Sequence, residues 1–572
     1  MKILGLACDV WISSAALIED GEVVAAVAEE RFNRQKMSKI YPRQSIDFCL
    51  KKAGVKFSEI DRVVFAWNPA LQLNSASSRY IDVPRWRGEY LYMLPGAILN
   101  QFSGDSEIYD IEQLINTSDW NAKVTYVNHH LAHAASTYLQ SPYNEAAILT
   151  LDGRGEEDTS TFNLGNEKEI TKLSSVKMPH SMGLFYASIT DFLGFKPHTD
   201  EWKVMALASY GRQQSNPFYD KLRGLIKTTD GGGFEQDLTY FSYYNFDRQP
   251  HMYSEKLIDL LGPVRTADDP FDARAQDISA ALQMVFTDVV DHMLHALYDI
   301  TGTDNLCLAG GAAMNSVYNG TITERTPFKS VFIPSCPDDS GVSVGAALYA
   351  YHCLEDGPSP VQVQTHNSWG PSFDNEEIKA ALDQFKIRAD YHEDIEAAAA
   401  KALVDGQIIG WFQGAMEFGQ RALGNRSILA DPRSPDAKDK VNAAVKFREG
   451  FRPFAPAILE EFAKDYFVFP PGVDAAPFME RVLYFKESVR SGLPAVVHED
   501  GTGRLQTVGR ETSPQFYRLI ELFQEITNVP IVLNTSFNLN GEPVVCSPTD
   551  AIRSFYTCGL DALFLGNFLV QK

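Results

Sequence analysis

The chain opens twice in the same way. KILGLACD, SSAALIE and EVVAAVAEE read as three short strands, with Asp20-Gly21 as the hairpin turn between the last two. After residue 145 the pattern returns as AAILTLDG, DTSTFNLG, a polar NEK turn and EITKLSSVKM. Each copy begins with an apolar strand that runs into an aspartate, Asp9 in the first and Asp152 in the second.

A repeated strand–turn–strand with an acid at the end of its first strand is what a duplicated ribonuclease-H-like core of the actin/ATPase type shows. Two unrelated hairpins would give the same signal. Between the copies lie a helical stretch, QSIDFCLKKAG, and an aromatic-rich insertion from Trp67 to Phe102. Further on, Ile278, Leu282, Val285, Val289 and Met293 fall on one helical face. NLCLAG is a strand running into Gly310-Gly311, and GVSVGAALYAYHCL is a helix whose small residues imply close packing. Residues 355–372 are rich in Pro, Gly and Ser without helical period, the best candidate boundary. We therefore expect an α/β chain of two units, 1–354 and 373–572, the second built from helices such as DIEAAAAKALVDG and strands such as VPIVLNTS.

With 51 Lys plus Arg against 74 Asp plus Glu, the 572 residues carry a formal charge of −23. Non-specific nucleic-acid affinity comes from neutralising phosphates, so a nucleic-acid partner is a poor expectation. The start, MKILGLACDVW, is cut by Asp9 before it could form a signal core, and no apolar run reaches the ~18 residues of a spanning helix. Seven scattered cysteines form no CxxC pair, against both a zinc ribbon and a disulfide framework. A cytoplasmic enzyme is the expectation.

Three constellations carry chemistry. In VNHHLAHAAS, His129 and His133 stand four apart and share a helix face, a spacing at which two imidazoles can ligate one ion. A satisfied structural pair would look the same; carboxylates at Asp152 and Asp338-Asp339 tilt the reading toward a metal, iron favoured over a thiolate zinc site. For those aspartates a turn at Asp152 and a helix cap at Asp339 are plausible alternatives. LAGGAAMNSVYNG would let a ring or phosphate approach bare backbone at Gly310 and Gly311, though a tight turn explains it as well. TDEWKVMALASYG, with Lys203, is a weaker signal of the same kind. The third constellation is EFGQRALGNRSILADPR followed by VKFREGFRPFAP: residues 411–460 hold eight Lys or Arg against six acids in an otherwise acidic chain. Arg421, Arg426, Lys446, Arg448 and Arg452 are interleaved with apolar residues, and guanidinium forks suit oxyanions. Structural pairing with Glu417, Asp431 and Glu449 is the alternative. LNTSFNLNGEPVV then adds Asn534, Ser536 and Asn538 as neutral donors.

Taken in order, HHLAHAAS, TLDGRGE, EWKVMALASYG, LAGGAAMN, PDDSGVSVGAAL, EFGQRALGNRSILADPR, VKFREGFRPFAP and LNTSFNLNGEPVV resemble the O-carbamoyltransferases of the NodU/CmcH group over nearly the whole chain. The resemblance implies an ATPase-like N-terminal domain and a YrdC-like C-terminal one. It implies that carbamoyl phosphate and ATP become carbamoyladenylate in the C-terminal domain, whose carbamoyl group passes to a hydroxyl of a small-molecule acceptor, usually a natural product. By the same resemblance Arg421, Arg426, Lys446, Arg448, Arg452, Asn534 and Ser536 would hold the substrates, with Lys446 and Arg448 catalytic. Lys203, Gly310, Gly311 and Asn315 would border the nucleotide. His129, His133, Asp152 and Asp339 would hold a divalent metal, with magnesium an additional option for ATP. Asp339 is preferred to Asp338 because it directly precedes Ser-Gly. A homodimer is an open option.

The sequence departs from the group's pattern at Gln420 and Ser209, where proline is usual, and at the first loop. That loop usually reads His-Asp-x-Ser-Ala-Ala-Leu, and here Trp11 and Ile12 stand in the first two places. Indole cannot take a proton from a hydroxyl. His130, and after it Asp9, are therefore the expected substitutes as catalytic base, with Trp11 as a wall for the acceptor. Trp86, Tyr90 and Tyr92 in the insertion are candidates for acceptor contact or for an aromatic patch on the core. Two rival readings remain at this point: a tRNA threonylcarbamoyl-type transferase, disfavoured by the charge, and a catalytically reduced nucleotide-binding module, suggested by Trp11.

Overall fold

The computed structural model describes residues 1–8, 11–68, 110–116, 121–244, 250–355, 357, 362–446 and 449–572. Asp9, Arg448, Trp86, Tyr90 and Tyr92 lie outside the described residues.

The duplication seen in the sequence is a duplication of topology. Strands β1 (Lys2–Ala7), β2 (Ser14–Glu19) and β3 (Glu22–Ala28) form an antiparallel meander, turned at Asp20 and Gly21, whose φ values of 50° and 90° suit a two-residue hairpin. β4 (Arg62–Phe65) pairs parallel with β1, β6 (Asn121–Val127) parallel with β4, and β5 (Asp110–Asn116) antiparallel with β6, giving the order 3-2-1-4-6-5. In the second sheet β7 (Glu145–Leu151), β8 (Asp158–Asn166) and β9 (Glu169–Lys177) repeat the meander. The strands Asn305–Ala309 and Ser330–Phe332 then add in parallel on the β7 side. Five strands thus share one connectivity in both sheets, the ribonuclease-H-like arrangement.

Between the sheets lie two helices, His129–Tyr138 and Val342–Tyr349. Ile3, Ala16 and Ile18 of the first sheet share a core cluster with Ala146, Ile148 and Cys307 of the second and with alanines of both helices. The small residues are obligatory here. A Cβ on Gly345 would stand 2.0 Å from the Ala132 carbonyl oxygen, and one on Gly5 only 1.9 Å from that of Ser343. The expected amphipathic helix runs Ala273–Thr301, capped by the Asp272 carboxylate at its start and by left-handed Gly302 at its end. Its Ile278, Leu282, Val285, Val289 and Met293 are all buried against Leu149, Leu151, Leu306 and Leu308.

The C-terminal unit is a mixed ten-stranded sheet covered on both faces. Helices Ile395–Val404 and Pro514–Thr527 supply one core, and Ile552 and Phe555 of helix Pro548–Tyr556 contribute to the other. Residues 362–371 touch both units. Ala26 N–H donates to the Trp369 carbonyl at 3.3 Å and Gln364 N–H to that of Gln140 at 2.9 Å, while Gly370 N–H donates to Met416 at 2.9 Å. The units also meet directly: Arg481 donates to the Val331 carbonyl at 2.7 Å, and a Cβ on Gly320 would stand 2.0 Å from the Val482 carbonyl oxygen. Among the described residues no helix is long and apolar enough to cross a membrane.

Candidate functional site

The helix His129–Tyr138 starts where β6 ends, and the Asn128 side chain caps it by accepting from Leu131 N–H at 3.0 Å. One helical turn then stacks His129 and His133, their rings edge to face at 4.5 Å. The two Nε2 atoms face each other at 3.2 Å. Asp152 closes β7, and Asp339 stands in the loop before helix Val342–Tyr349. Their carboxylates complete the group: Asp152 Oδ2 lies 3.5 Å from His129 Nε2, and Asp339 Oδ1 lies 3.6 and 3.5 Å from the Nε2 atoms of His129 and His133. All four residues are buried, with one donor atom from each within 4.8 Å of the others.

Each carboxylate is steadied from behind. Asp152 Oδ1 accepts from Gly311 N–H at 2.8 Å, and Asp339 Oδ2 from Trp11 N–H at 3.0 Å. Among the described residues Asp152 Oδ2 has no hydrogen-bond partner, and His129 Nδ1 points at the Ala66 carbonyl at 3.4 Å, which leaves Nε2 to face the carboxylates. Asp338 faces elsewhere, taking Ser340 Oγ at 2.6 Å on one oxygen and Gln420 Nε2 at 2.8 Å on the other. Two neutral imidazoles and two carboxylates would leave uncompensated negative charge in a buried space, so the group demands protons or a cation. In the metal-free chain protons answer that demand. Burial alone would lower the His129 pKa, but Asp339 and Asp152 outweigh it and raise it well above its usual value. Asp339 is correspondingly depressed, the two imidazoles outweighing its burial. The donor set, two nitrogens and two oxygens, fits a divalent metal ion.

His130 is misplaced for the role of base. Its Nε2 faces the Asp158 carbonyl at 2.9 Å and must donate there, while Nδ1 accepts from Thr150 Oγ1 at 2.7 Å. Burial, chiefly, lowers its pKa to about 4. Both nitrogens are spent on the β7–β8 hairpin, and neither faces the cluster. Glu156 was missed as a functional candidate although it lies in the TLDGRGE motif. It accepts from the Asn68 and His129 N–H groups at 2.7 and 3.0 Å and from Asn128 Nδ2 at 2.9 Å, and so braces the helix start.

A cavity of about 650 Å³ includes Asp152 and Asp339 in its wall, and also Arg421, Lys446, Arg452, Arg504, Asn534 and Ser536 of the C-terminal unit. Lys203, Gly311 and Asn315 line it too, whereas Gly310 and Arg426 do not. Gly310 acts one step behind: φ is 102°, and a Cβ there would stand 2.3 Å from the Leu151 carbonyl oxygen. Asn315 is held by a reciprocal pair of bonds with Gln283 at 3.0 and 3.2 Å. Lys203 reaches Asp200 at 3.2 Å and Glu449 at 3.3 Å. Asn534 donates to Gln506 at 2.8 Å, and its Oδ1 is buried without a partner among the described residues.

The basic run divides on folding. Arg426, expected to bind substrate, is buried off the cavity wall. Its guanidinium lies 3.7 Å over the Phe412 ring and donates to the carbonyls of Gln413, Asn425, Pro371 and Gly414. Lys446 donates to the Ser536 carbonyl and, at 2.8 Å, to Asn538 Oδ1. Arg452 lies 3.8 Å over the Trp202 ring and pairs with Glu449 at 3.1 Å. Arg421 has no hydrogen-bond partner among the described residues, and burial pushes its pKa down to about 10 despite nearby Asp338. Burial pushes the pKa of Arg504 well down, and the nearby Arg421 charge lowers it further. Two poorly solvated guanidinium groups on one cavity wall suit an anion.

A family model described as carbamoyltransferase N-terminus matches residues 2–348, and one described as carbamoyltransferase C-terminus matches 400–572. The chain belongs to the carbamoyltransferase family. This carbamoyltransferase is 36% identical to an uncharacterised protein of Synechocystis, over 100% of this chain and 96% of that one. It is 36% identical to the nodulation protein NolNO of Sinorhizobium fredii over 98% of this chain and 78% of that one, and 27% identical to nodulation protein U of Rhizobium tropici over 92% and 89%. Solved structures are more distant. The ROK hexokinase of Thermus thermophilus covers 62% of this chain and 100% of its own at 15% identity and a TM-score of 0.30, and T. kodakarensis HypF covers 63% and 49% at 12% and 0.31. Within the carbamoyltransferase, Arg504, His498 and His198 also line the cavity, and sequence reasoning missed all three. Each is a single residue outside any spaced pattern, so only the fold could bring it to the wall.

Proposed function

We propose that the enzyme makes carbamoyladenylate from carbamoyl phosphate and ATP and transfers the carbamoyl group to a hydroxyl of a small-molecule acceptor. The observation that carries this reading is the single cavity, whose wall holds both the anion-suited arginines and the two carboxylates of the His/Asp cluster. In it, residues 373–572 are the activating unit and 1–354 the transferring unit.

Arg421 and Arg504 would neutralise the phosphates of the two substrates, and Lys446 would hold the Ser536–Asn538 loop that borders them. Arg448, outside the described residues, would join these residues on the strength of the sequence alone. Gly311 presents bare backbone to the nucleotide. His129, His133, Asp152 and Asp339 would hold a divalent cation, iron being favoured by the mixed nitrogen and oxygen donors. Such an ion would supply positive charge to the phosphate of the mixed anhydride. The charge of −23 favours a small acceptor over tRNA, and the need for ATP and the scattered cysteines favour a cytoplasmic reaction.

The test is turnover with carbamoyl phosphate, ATP and a panel of hydroxylated acceptors, read by pyrophosphate release and mass spectrometry. Pyrophosphate release that needs carbamoyl phosphate, with one acceptor gaining a carbamoyl group, is the expected result. ATP cleavage indifferent to carbamoyl phosphate refutes it.

A further inference from the structure

Beside the cluster, the Trp11 indole and the His198 imidazole stack with centroids 4.2 Å apart and planes 16° from parallel. Both line the cavity. Trp11 is tied to the cluster through its own backbone, since its N–H donates to Asp339 Oδ2 at 3.0 Å. On its ring sits the Lys39 ammonium, 3.7 Å from the centroid. His198 reaches its place at a cost: φ is +62°, a left-handed backbone that non-glycine residues seldom adopt. The conformation is fixed by the Glu201 carboxylate, which accepts from His198 N–H. Strain of this kind persists where the surrounding structure enforces it, and here it lays one ring on another at a cavity wall.

Among the described residues neither ring nitrogen of His198 has a hydrogen-bond partner. Burial, with Lys39 and Arg154 nearby, lowers its pKa to about 4, so the ring is neutral at ordinary pH and keeps one bare nitrogen. An anionic substrate in the cavity would raise that value by Coulomb attraction. His130 is fully bonded. His498 also lines the cavity with a bare Nε2 and a pKa lowered by burial to about 4, but it belongs to the C-terminal unit, where Thr502 Oγ1 meets its Nδ1 at 3.0 Å. Of the two, His198 is the one stacked on Trp11, whose backbone N–H bonds the cluster.

We infer that His198, held by its stack on Trp11, is the base that takes the proton from the acceptor hydroxyl. This rests on the transfer reaction proposed above. The acceptor O–H bond breaks as its oxygen bonds to the carbamoyl carbon, and the proton passes to the bare nitrogen of His198. The bond from that carbon to the phosphate oxygen breaks, AMP leaves with the electron pair, and His198 returns the proton to solvent. Trp11 is then a positioning residue.

The experiment uses the full chain with carbamoyl phosphate, ATP and either glycerol, a plain hydroxyl probe, or hydroxylamine, a nucleophile that needs no base. His198→Ala and His198→Gln should lower glycerol carbamate formation about 100-fold with KM for glycerol unchanged. Hydroxyurea formation and carbamoyl-phosphate-dependent pyrophosphate release should continue at near the parental rate. Added imidazole should restore part of the loss in His198→Ala. Trp11→Phe, which keeps a ring under His198, should retain more glycerol transfer than Trp11→Ala. Equal loss with both nucleophiles, no loss with glycerol, or a parent enzyme that carbamoylates hydroxylamine and not glycerol each overturns the assignment. Absence of carbamoyl-phosphate-dependent pyrophosphate release in the parent would instead remove the transfer reading beneath it.

Discussion

The His/Asp cluster and the basic wall share one cavity, yet they were assembled by different rules. Two of the four cluster groups come from one helix turn, so their geometry follows from a period of 3.6 residues and survives any rearrangement of the rest. The basic groups come from a loop, a strand and a partly irregular segment, where spacing in sequence fixes nothing about direction. Accordingly His129 and His133 converge, whereas Arg421 and Arg426, five apart, part company: one faces the cavity and the other is caught by four carbonyls.

The sharpest way to break that contrast is to remove a cluster group. His133→Ala or Asp339→Ala should leave the purified protein without bound metal and lose transfer by more than the ~10–100-fold that outer-shell changes cost. Carbamoyl-phosphate-dependent pyrophosphate release should persist, since the basic wall is intact. Full metal content by elemental analysis in both variants would refute the cluster as a site.

Next in size is the arginine pair. Arg421→Ala should cut pyrophosphate release roughly 10–100-fold, the worth of one charge-assisted hydrogen bond, at unchanged stability. Arg426→Ala should do the reverse, destabilising the fold by about 3 kcal/mol because several buried carbonyls lose their donor together. Urea unfolding beside the activity assay separates the two, and matched behaviour would erase the distinction.

A third expectation concerns pH. Asp339 and Asp152 hold the His129 pKa up against burial, so a cation must displace a proton. Metal affinity should therefore weaken as pH falls below that raised value. In the metal-free protein the His129 contribution to stability is present below the unfolded value of ~6.5 and is lost as pH rises through the raised folded one. That of Asp339 is present above ~3.9 and is lost as pH falls through its depressed folded value. Chelator competition at two pH values reads the affinity, and tighter binding on acidification would contradict the scheme.

The smallest effect belongs to Gln420, whose amide bonds Asp338 at 2.8 Å and ties the basic wall to the residue beside the cluster. Gln420→Ala should cost about 1 kcal/mol and leave metal content unchanged. A loss of metal would mean that Asp338 steers Asp339.

What the sequence made legible follows the same division. The paired meanders, the long helix with its buried face, the HxxxH pair and the aspartate at the end of β7 all rest on short periods, and all stand in the structure as read. Asp338 is turned from the histidines with one oxygen on nearby Ser340 and the other on Gln420, 82 positions away, a partner that spacing does not reveal. His130 looked free because it lies off the ligand face of its helix, and the β7–β8 hairpin occupies that other face. Arg504 and His198 were invisible because each gains its place on the cavity wall from a residue distant in the chain, Arg421 and Trp11 respectively.

Asp339 is steadied by the backbone amide of residue 11 and not by its side chain. Every amino acid except proline carries that amide. Position 11 can therefore vary in evolution, or be varied in the laboratory, without dismantling the carboxylate that the cluster depends on. The wall facing the acceptor and the support of the cluster are encoded at one residue but inherited separately. Substitutions at position 11 should therefore change transfer through the stack on His198 while the backbone support of Asp339 stays in place.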